Sequence, residues 1–256
     1  MNITFNGLNI NDNVNYTVEE INHEEPAKAD INLQKIARTN ESVLLRKGFG
    51  TRTIKATIIV QDRSLALLDA RVDDLKETIE ASGRNFDIEY ASGTRRFVCT
   101  GFIEGRIERR PRWAVVKAKF ECYKAFGEAT SSTTELFAGK TTNPYSDDIE
   151  IDGNAPAQPD ITITINACSY TAGDKFIKLL NNENGDYIKL VADDFTAGDV
   201  IVISTEQATV TRNGVVEQYL GIMPEWLPGD NDWEYSDDFD TSRNVDISFS
   251  YKKRYL

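Results

Sequence analysis

The amino-acid sequence predicts a mainly β protein that contains one helix and is divided into two modules. Short runs of alternating apolar and polar residues, typical of half-buried strands, recur through most of the 256 residues. Only one segment repeats its apolar residues at helical spacing. The charge is also uneven, because residues 1–130 carry 20 Lys+Arg against 19 Asp+Glu, whereas residues 131–256 carry 9 against 22. This step in charge indicates two modules.

The first module is predicted to be an antiparallel sheet. Its opening strand leads into Asn6-Gly7, a dipeptide that favours a tight turn. In the longer strands, every second residue is apolar, so one face of the sheet should be buried and the other solvated. The predicted strands cover residues 3–5, 52–60, 86–90, 97–107 and 113–123.

The helix is predicted over about residues 63–82. Asp62 or Ser64 can cap its first turn, and Gly83 stands where a C-terminal glycine belongs. The residues that define its buried face are Leu68, Val72, Leu75 and Ile79. One helix packed on an antiparallel sheet is therefore the expected architecture of the first module.

The second module is predicted to be a β-sandwich. Residues 125–159 change in composition and are interpreted as a linker or the entry to a second domain. Short strands then recur at a spacing of roughly ten residues, which is typical of a sandwich. Hairpins are predicted at residues 181–185 and at Asn213-Gly214. The predicted domains are residues 1–133 and 134–256.

Composition limits the classes of function. No run of eighteen apolar residues occurs, so no membrane helix is predicted. The first residues lack the features of a signal peptide, which predicts synthesis in a cytoplasm without export by that route. The net charge of −12 lies almost entirely in the second half, and this disfavours binding to nucleic acid or to an anionic membrane.

The residues of common catalytic and metal sites are scarce. His23 is the only histidine and lies in an acidic stretch, where a solvated side chain is expected. No glycine-rich phosphate loop occurs. Cys99, Cys122 and Cys168 are too few for a disulfide framework and are expected to be buried, inert thiols. No catalytic, cofactor-binding or metal-binding residue is predicted, although a pair of carboxylates in a cleft would suffice for a glycosidase.

Residues 226–240 admit three interpretations. The many carboxylates suggest calcium, but their spacing does not fit an EF-hand loop. The rings of Trp226, Trp233 and Tyr235 suggest a carbohydrate-binding adhesin, because exposed aromatic rings can stack on sugars. The third interpretation places these three rings in the core beside an acidic loop, and it is the one that we favour.

A basic cluster surrounds Pro111. It contains Arg106, Arg109, Arg110 and Arg112, with Trp113 beside it. Interleaved glutamates and the acidic total weigh against nucleic acid. A protein contact surface fits at least as well, because Arg and Trp are enriched at interfaces.

The arrangement of these segments resembles the distal tail proteins of siphophages. Residues 3–7 (ITFNG) are similar to the strand and turn that open these proteins, and the order strand, helix, glycine, strand over residues 54–90 is similar to their N-terminal domain. Residues 153–161 (GNAPAQPDI) resemble the entry to their C-terminal domain, with Gly153 and Asn154 in inverted order. Residues 219–231 (YLGIMPEWLPGDN) and the ending at 247–256 resemble their last segments.

The resemblance implies an assembly protein of a phage or prophage rather than an enzyme. It implies an N-terminal, split-barrel-like β domain that forms a homo-hexameric ring around the tail channel. It also implies a galectin-like C-terminal β-sandwich that projects outward, a fold from which sugar binding does not follow. The ring would join the tail tube protein to the tail-associated lysin or fibre hub at the virion tail tip. Receptor-binding proteins would attach to the outer domains.

Overall fold

A computed structural model describes residues 1–22, 29–35, 42–169, 173–240 and 242–256, with the backbone alone for 29–35 and 42–49. The chain forms two compact units, Met1–Thr130 with Tyr255–Leu256, and Ser131–Arg254. The described residues are mostly in antiparallel strands and include a single helix, which confirms the predicted fold class. His23 lies outside the described residues.

The main sheet of the first unit has the strand order β2-β1-β7-β8-β10-β6-β3. β9 and β11 pair at its margins, whereas β4 and β5 pair with each other as a separate hairpin. The strands are β1 (Ile3–Phe5), β2 (Leu8–Asn9), β3 (Tyr16–Asn22), β4 (Ala29–Lys35), β5 (Ser42–Phe49), β6 (Arg52–Gln61), β7 (Arg84–Tyr90), β8 (Gly93–Ile103), β9 (Glu108–Arg109), β10 (Trp113–Cys122) and β11 (Gly127–Ala129).

The alternating strands predicted for the first unit are confirmed, except that the strand predicted over residues 97–107 runs instead from Gly93 to Ile103 as β8. β6 and β10 pair along their whole length, with Ile54 opposite Phe120 and Ile58 opposite Val116. Every second residue on each strand is buried, as the sequence pattern predicts. The rings of Phe86 and Phe120 lie 4.5 Å apart between centroids and form part of this core.

The helix α1 (Leu65–Ile79) is shorter than the predicted 63–82 but buries the four predicted residues. Ser64 caps it, because its Oγ accepts a hydrogen bond from the Leu67 N–H at 3.3 Å. The predicted terminal role of Gly83 is wrong. The helix ends at Glu80, and Gly83 lies in the following turn with a φ of +64°.

The end of the helix lies close against Gly101 of β8. A Cβ atom added there would lie 2.2 Å from the backbone oxygen of Ile79. Only glycine therefore allows the end of the helix to lie against this strand.

The cysteine prediction is wrong for two of the three residues. Cys99 of β8 and Cys122 of β10 lie opposite each other and form a disulfide. The strand register brings them together, and the sequence offers no pairing signal because 23 positions separate them. Cys168 is free and half-buried, and burial raises the pKa of its thiol.

The second unit is a sandwich of two antiparallel sheets. The six-stranded sheet has the order β12-β22-β14-β17-β18-β19, and the five-stranded sheet has the order β13-β21-β15-β16-β20. The strands are β12 (Thr133–Lys140), β13 (Tyr145–Ile151), β14 (Asp160–Cys168), β15 (Lys175–Asn181), β16 (Tyr187–Ala192), β17 (Val200–Ser204), β18 (Thr209–Arg212), β19 (Val215–Glu217), β20 (Tyr219–Gly221), β21 (Gly229–Asp237) and β22 (Arg243–Tyr251). A short strand, β23 (Arg254–Tyr255), ends the chain.

Of the two interpretations of residues 125–159, the linker is wrong, and the structure agrees with the entry to a second domain. This range contains β11, β12 and β13, and the last two are the edge strands of the sandwich sheets. These two strands expose most of their side chains, and only Phe137, Ile149 and Ile151 of β12 and β13 are buried. Without a regular apolar alternation, these strands resemble a polar connection in the sequence.

Candidate functional site

The aromatic residues of the 226–240 segment lie in the core of the sandwich. Trp226, Trp233 and Tyr235 are each 0% exposed. The Trp233 ring lies 5.0 Å from Phe137 and 5.1 Å from Phe249 between centroids, so it connects both sheets. The core-packing interpretation is confirmed, and these rings are not available to stack on a sugar. The expected acidic loop is wrong, because residues 229–237 form strand β21.

Asp230, Asp232 and Glu234 of β21 alternate with its buried residues and face outward. Asp232 lies directly opposite Asp148 of β13, and Asp230 lies opposite Glu150. Like charges in opposite positions destabilise a strand pair, so this surface is a cost to the fold. Among the described residues, no group of three or more His, Cys, Asp or Glu side chains is arranged to hold a metal ion.

One carboxylate of the segment is buried and paired. The Arg243 guanidinium donates to both oxygens of Asp237 at 2.6–2.9 Å, and Asp237 also accepts from the Phe239 N–H at 2.9 Å. Burial, followed by the nearby charge of Asp237, raises the pKa of the Tyr235 phenol. This arrangement orders the end of β21.

The predicted basic cluster is brought together at one end of the main sheet of the first unit. Arg109 forms an ion pair with Asp69 of the helix, and the Arg110 guanidinium lies 6.0 Å from the Trp113 ring centre. Arg112 lines an open depression together with Val14 and Leu67. Basic, aromatic and aliphatic groups thus share one exposed surface, which is the composition of a protein contact.

The sandwich also has two contrasting ends at which both sheets stop. We define the charged end as strands β12 and β13, which carry Glu135, Asp147, Asp148 and Glu150. We define the apolar end as residues 215–222, which contain strands β19 and β20. Its exposed apolar side chains, with their exposed fractions, are Val215 (65%), Val216 (70%), Leu220 (59%) and Ile222 (68%). Sequence reasoning noted these residues only as hairpin and motif positions.

The helix among the described residues is too short and too polar to cross a membrane.

Comparisons with known proteins place these features in a family. The family described as siphovirus-type tail component, C-terminal domain, matches residues 152–255. No curated protein matches the chain. The crystal structure of the phage SPP1 Dit protein, described as a paradigm of the hub adsorption apparatus in phages that infect Gram-positive bacteria, is 15% identical. It covers 100% of this chain and 99% of its own, with a TM-score of 0.69. At this identity, the likeness shows the fold alone.

A second structure, the phage P2 baseplate in its activated conformation with Ca, is 8% identical over 95% of this chain and 92% of its own. Its TM-score of 0.42 is too low to support an argument.

The second unit therefore carries the C-terminal domain of a siphovirus-type tail component, and the chain has a structural role in a phage tail. This domain, and the fold that the chain shares with SPP1 Dit along its whole length, agree with the resemblance to siphophage distal tail proteins that the sequence shows.

Proposed function

We propose that this chain is a non-enzymatic subunit of a phage tail tip that assembles into a homo-hexameric ring. The ring joins the tail tube protein to the tail-associated lysin or fibre hub, and the outer sandwich carries receptor-binding proteins. The observation that supports this proposal most strongly is the match of residues 152–255 to a siphovirus-type tail component domain. A heterologous contact between identical subunits closes into a ring when its rotation fits.

The β4–β5 hairpin supports assembly through the first unit. Its two strands pair from Ala29–Phe49 to Lys35–Ser42, and neither pairs with another described strand. A hairpin of two strands has little stability in water on its own. A neighbouring subunit would supply the surface that such a hairpin needs.

The basic cluster supports a second contact of the first unit. The exposed side chains of Arg106, Arg110 and Arg112 have no ion-pair partner among the described residues, whereas Arg109 is paired. Exposed Trp113 adds apolar area to the same surface. Tail partners with acidic surfaces are the expected occupants.

Native mass spectrometry and negative-stain electron microscopy of the purified chain test the ring. We expect a hexamer, and a variant in which a short Gly-Ser turn replaces residues 29–49 is expected to stay monomeric. Its far-UV circular dichroism should lose only the contribution of β4 and β5. The matched control is a Gly-Ser replacement of the exposed turn at residues 183–185 in the second unit, which should leave the ring intact. A strict monomer at tens of micromolar, even beside purified tail tube and hub proteins, would contradict the proposal.

The non-enzymatic part of the proposal has its own test. Zymography on Gram-positive cell walls is expected to show no cleared zone at the position of this chain. A cleared zone that persists in highly purified protein would show a wall hydrolase instead.

A further inference from the structure

The apolar end of the sandwich is an exposed hydrophobic surface that the fold does not use. β19 is the last strand of the six-stranded sheet and β20 is the last strand of the five-stranded sheet. Four of the eight residues from 215 to 222 are aliphatic and are 59–70% exposed. Exposed apolar groups that cluster on a soluble protein mark contact surfaces or aggregation hazards.

The opposite end shows how this protein protects a strand edge. β12 has an irregular register between Phe137 and Lys140, and β13 places Asp147 and Asp148 in solvent. Bulges and charges of this kind prevent unwanted pairing of edge strands. Residues 215–222 contain one charged side chain, Glu217, and Arg212 neutralises it at 3.4 Å. The apolar end therefore lacks the bulge and the free charges that protect the charged end.

The backbone of β19 is also available for pairing. Asn213 and Gly214 both have positive φ angles, of 52° and 80°, and form a two-residue turn between β18 and β19. In such a hairpin, Arg212 and Val215 are the hydrogen-bonded pair, so the next pair, Thr211 and Val216, is not hydrogen-bonded. The N–H and C=O of Val216 consequently point away from β18, toward the open edge of the sheet.

The charge of the second unit distinguishes between two possible binding partners of this edge, a second copy of the sandwich and a different protein. Residues 131–256 carry 22 acidic against 9 basic residues, so a second copy of the sandwich would be repelled. A positively charged partner would be attracted. We propose that the apolar end takes up an extended, Lys- or Arg-bearing apolar segment of another tail protein, which adds a strand beside β19. This inference rests on the proposed role of the outer sandwich in carrying partners, and it names the surface and the chemistry of the partner.

Fluorescence anisotropy of the full chain with a labelled peptide tests the proposal. The probe is an acetylated, amidated octapeptide of alternating Lys, Val and Thr, and it is compared with a version in which Glu replaces Lys. We expect the Lys peptide to bind and to weaken at high ionic strength. Val216→Asp should weaken binding by about tenfold or more, because it removes the burial of a valine. The matched control is Leu136→Asp on β12, an equally exposed edge residue whose replacement should leave binding unchanged.

Several outcomes would overturn the proposal. These are equal binding of the Glu peptide, equal losses in Val216→Asp and Leu136→Asp, or no binding of the Lys peptide. Self-association of the chain that Val216→Asp abolishes would assign the edge to a second copy instead. If Val216→Asp unfolds the sandwich, a Lys peptide with methylated backbone nitrogens provides the test, because it should lose binding to the unaltered protein. Native mass spectrometry of Val216→Asp tests the ring separately from peptide binding, because the hexamer should persist in that variant.

Discussion

The first unit covers one face of its sheet with a helix, whereas the second covers each sheet with the other. Four residues of the helix supply its whole buried face, and one disulfide joins the neighbouring strands β8 and β10 of the sheet. The second unit distributes its core over the inner faces of both sheets and places its largest rings, Trp226 and Trp233, at the centre. The two cores are thus built from different layers, a helix on a sheet in the first unit and a sheet on a sheet in the second.

The two units also differ in what they expose. The first is close to neutral and has a cluster of exposed arginines at residues 106–112, whereas the second is strongly acidic and keeps one end apolar. In an assembly protein, such differences assign different partners to the two units, because opposite charges attract and exposed apolar surface seeks cover. Two separate cores of this kind should unfold independently of each other.

The largest effect is expected from Trp233→Ala. The ring is fully buried between the sheets, so its loss should cost about 4 kcal/mol through lost burial and a cavity. Differential scanning calorimetry should show a lower transition temperature for the second unit alone. If both units shift together, their cores do not unfold independently and the comparison fails.

Reduction of the disulfide should act on the first unit alone. Closing a loop across 23 positions restricts the unfolded chain, and its loss should cost about 3 kcal/mol. Calorimetry with and without a phosphine reductant measures this effect. The second unit is the internal control, because its only cysteine, Cys168, is free. Alkylation of three thiols in the unreduced, denatured protein would contradict the prediction.

Alkaline pH should act on the second unit. Burial and the charge of Asp237 raise the pKa of Tyr235 above its ordinary value of 10.0. Because the pKa of Tyr235 is higher in the folded than in the unfolded chain, its protonated phenol contributes its full share to the free energy of unfolding below pH 10. At higher pH this contribution falls by about 1.4 kcal/mol per pH unit.

Tyr235→Phe isolates this contribution. It should change stability by less than about 1 kcal/mol at neutral pH and should raise the second transition temperature relative to the unaltered protein near pH 11. Tyr187→Phe, at a more exposed position, serves as the control. Parallel pH profiles of Tyr235→Phe and the unaltered chain would show that Tyr235 has no part in alkaline unfolding.

The smallest effect is expected at the helix cap. Ser64→Ala removes the hydrogen bond to the Leu67 N–H and should cost the first unit about 1 kcal/mol. Ser146→Ala, in the exposed part of β13, is the matched control in the second unit. Urea unfolding followed by circular dichroism resolves a change of this size. An equal loss of unfolding free energy in Ser64→Ala and Ser146→Ala would show that the helix cap does not contribute specifically to the stability of the first unit.

The sequence pattern predicts strands in the interior of a sheet better than strands at its edge. β6 and β10 lie within their sheet with one face buried, and their alternation predicts them correctly. β12 and β13 lie at edges, expose most of their side chains and therefore read as a linker. The sequence correctly predicts that Trp226, Trp233 and Tyr235 lie in the core. It does not predict β21, which carries Trp233 and Tyr235, because acidic residues occupy most of the outward positions of this strand.

The sequence by itself determined the mainly β class, the position of the one helix, the uneven charge and the resemblance to siphophage distal tail proteins. Each of these depends on residue type and local spacing, which are present in the chain before it folds. The tertiary structure alone decided that Cys99 meets Cys122, that Gly101 must be glycine, and that residues 215–222 form the open edge of both sheets. These features depend on which strands become neighbours, and strand order is set by packing between residues that are distant in the chain.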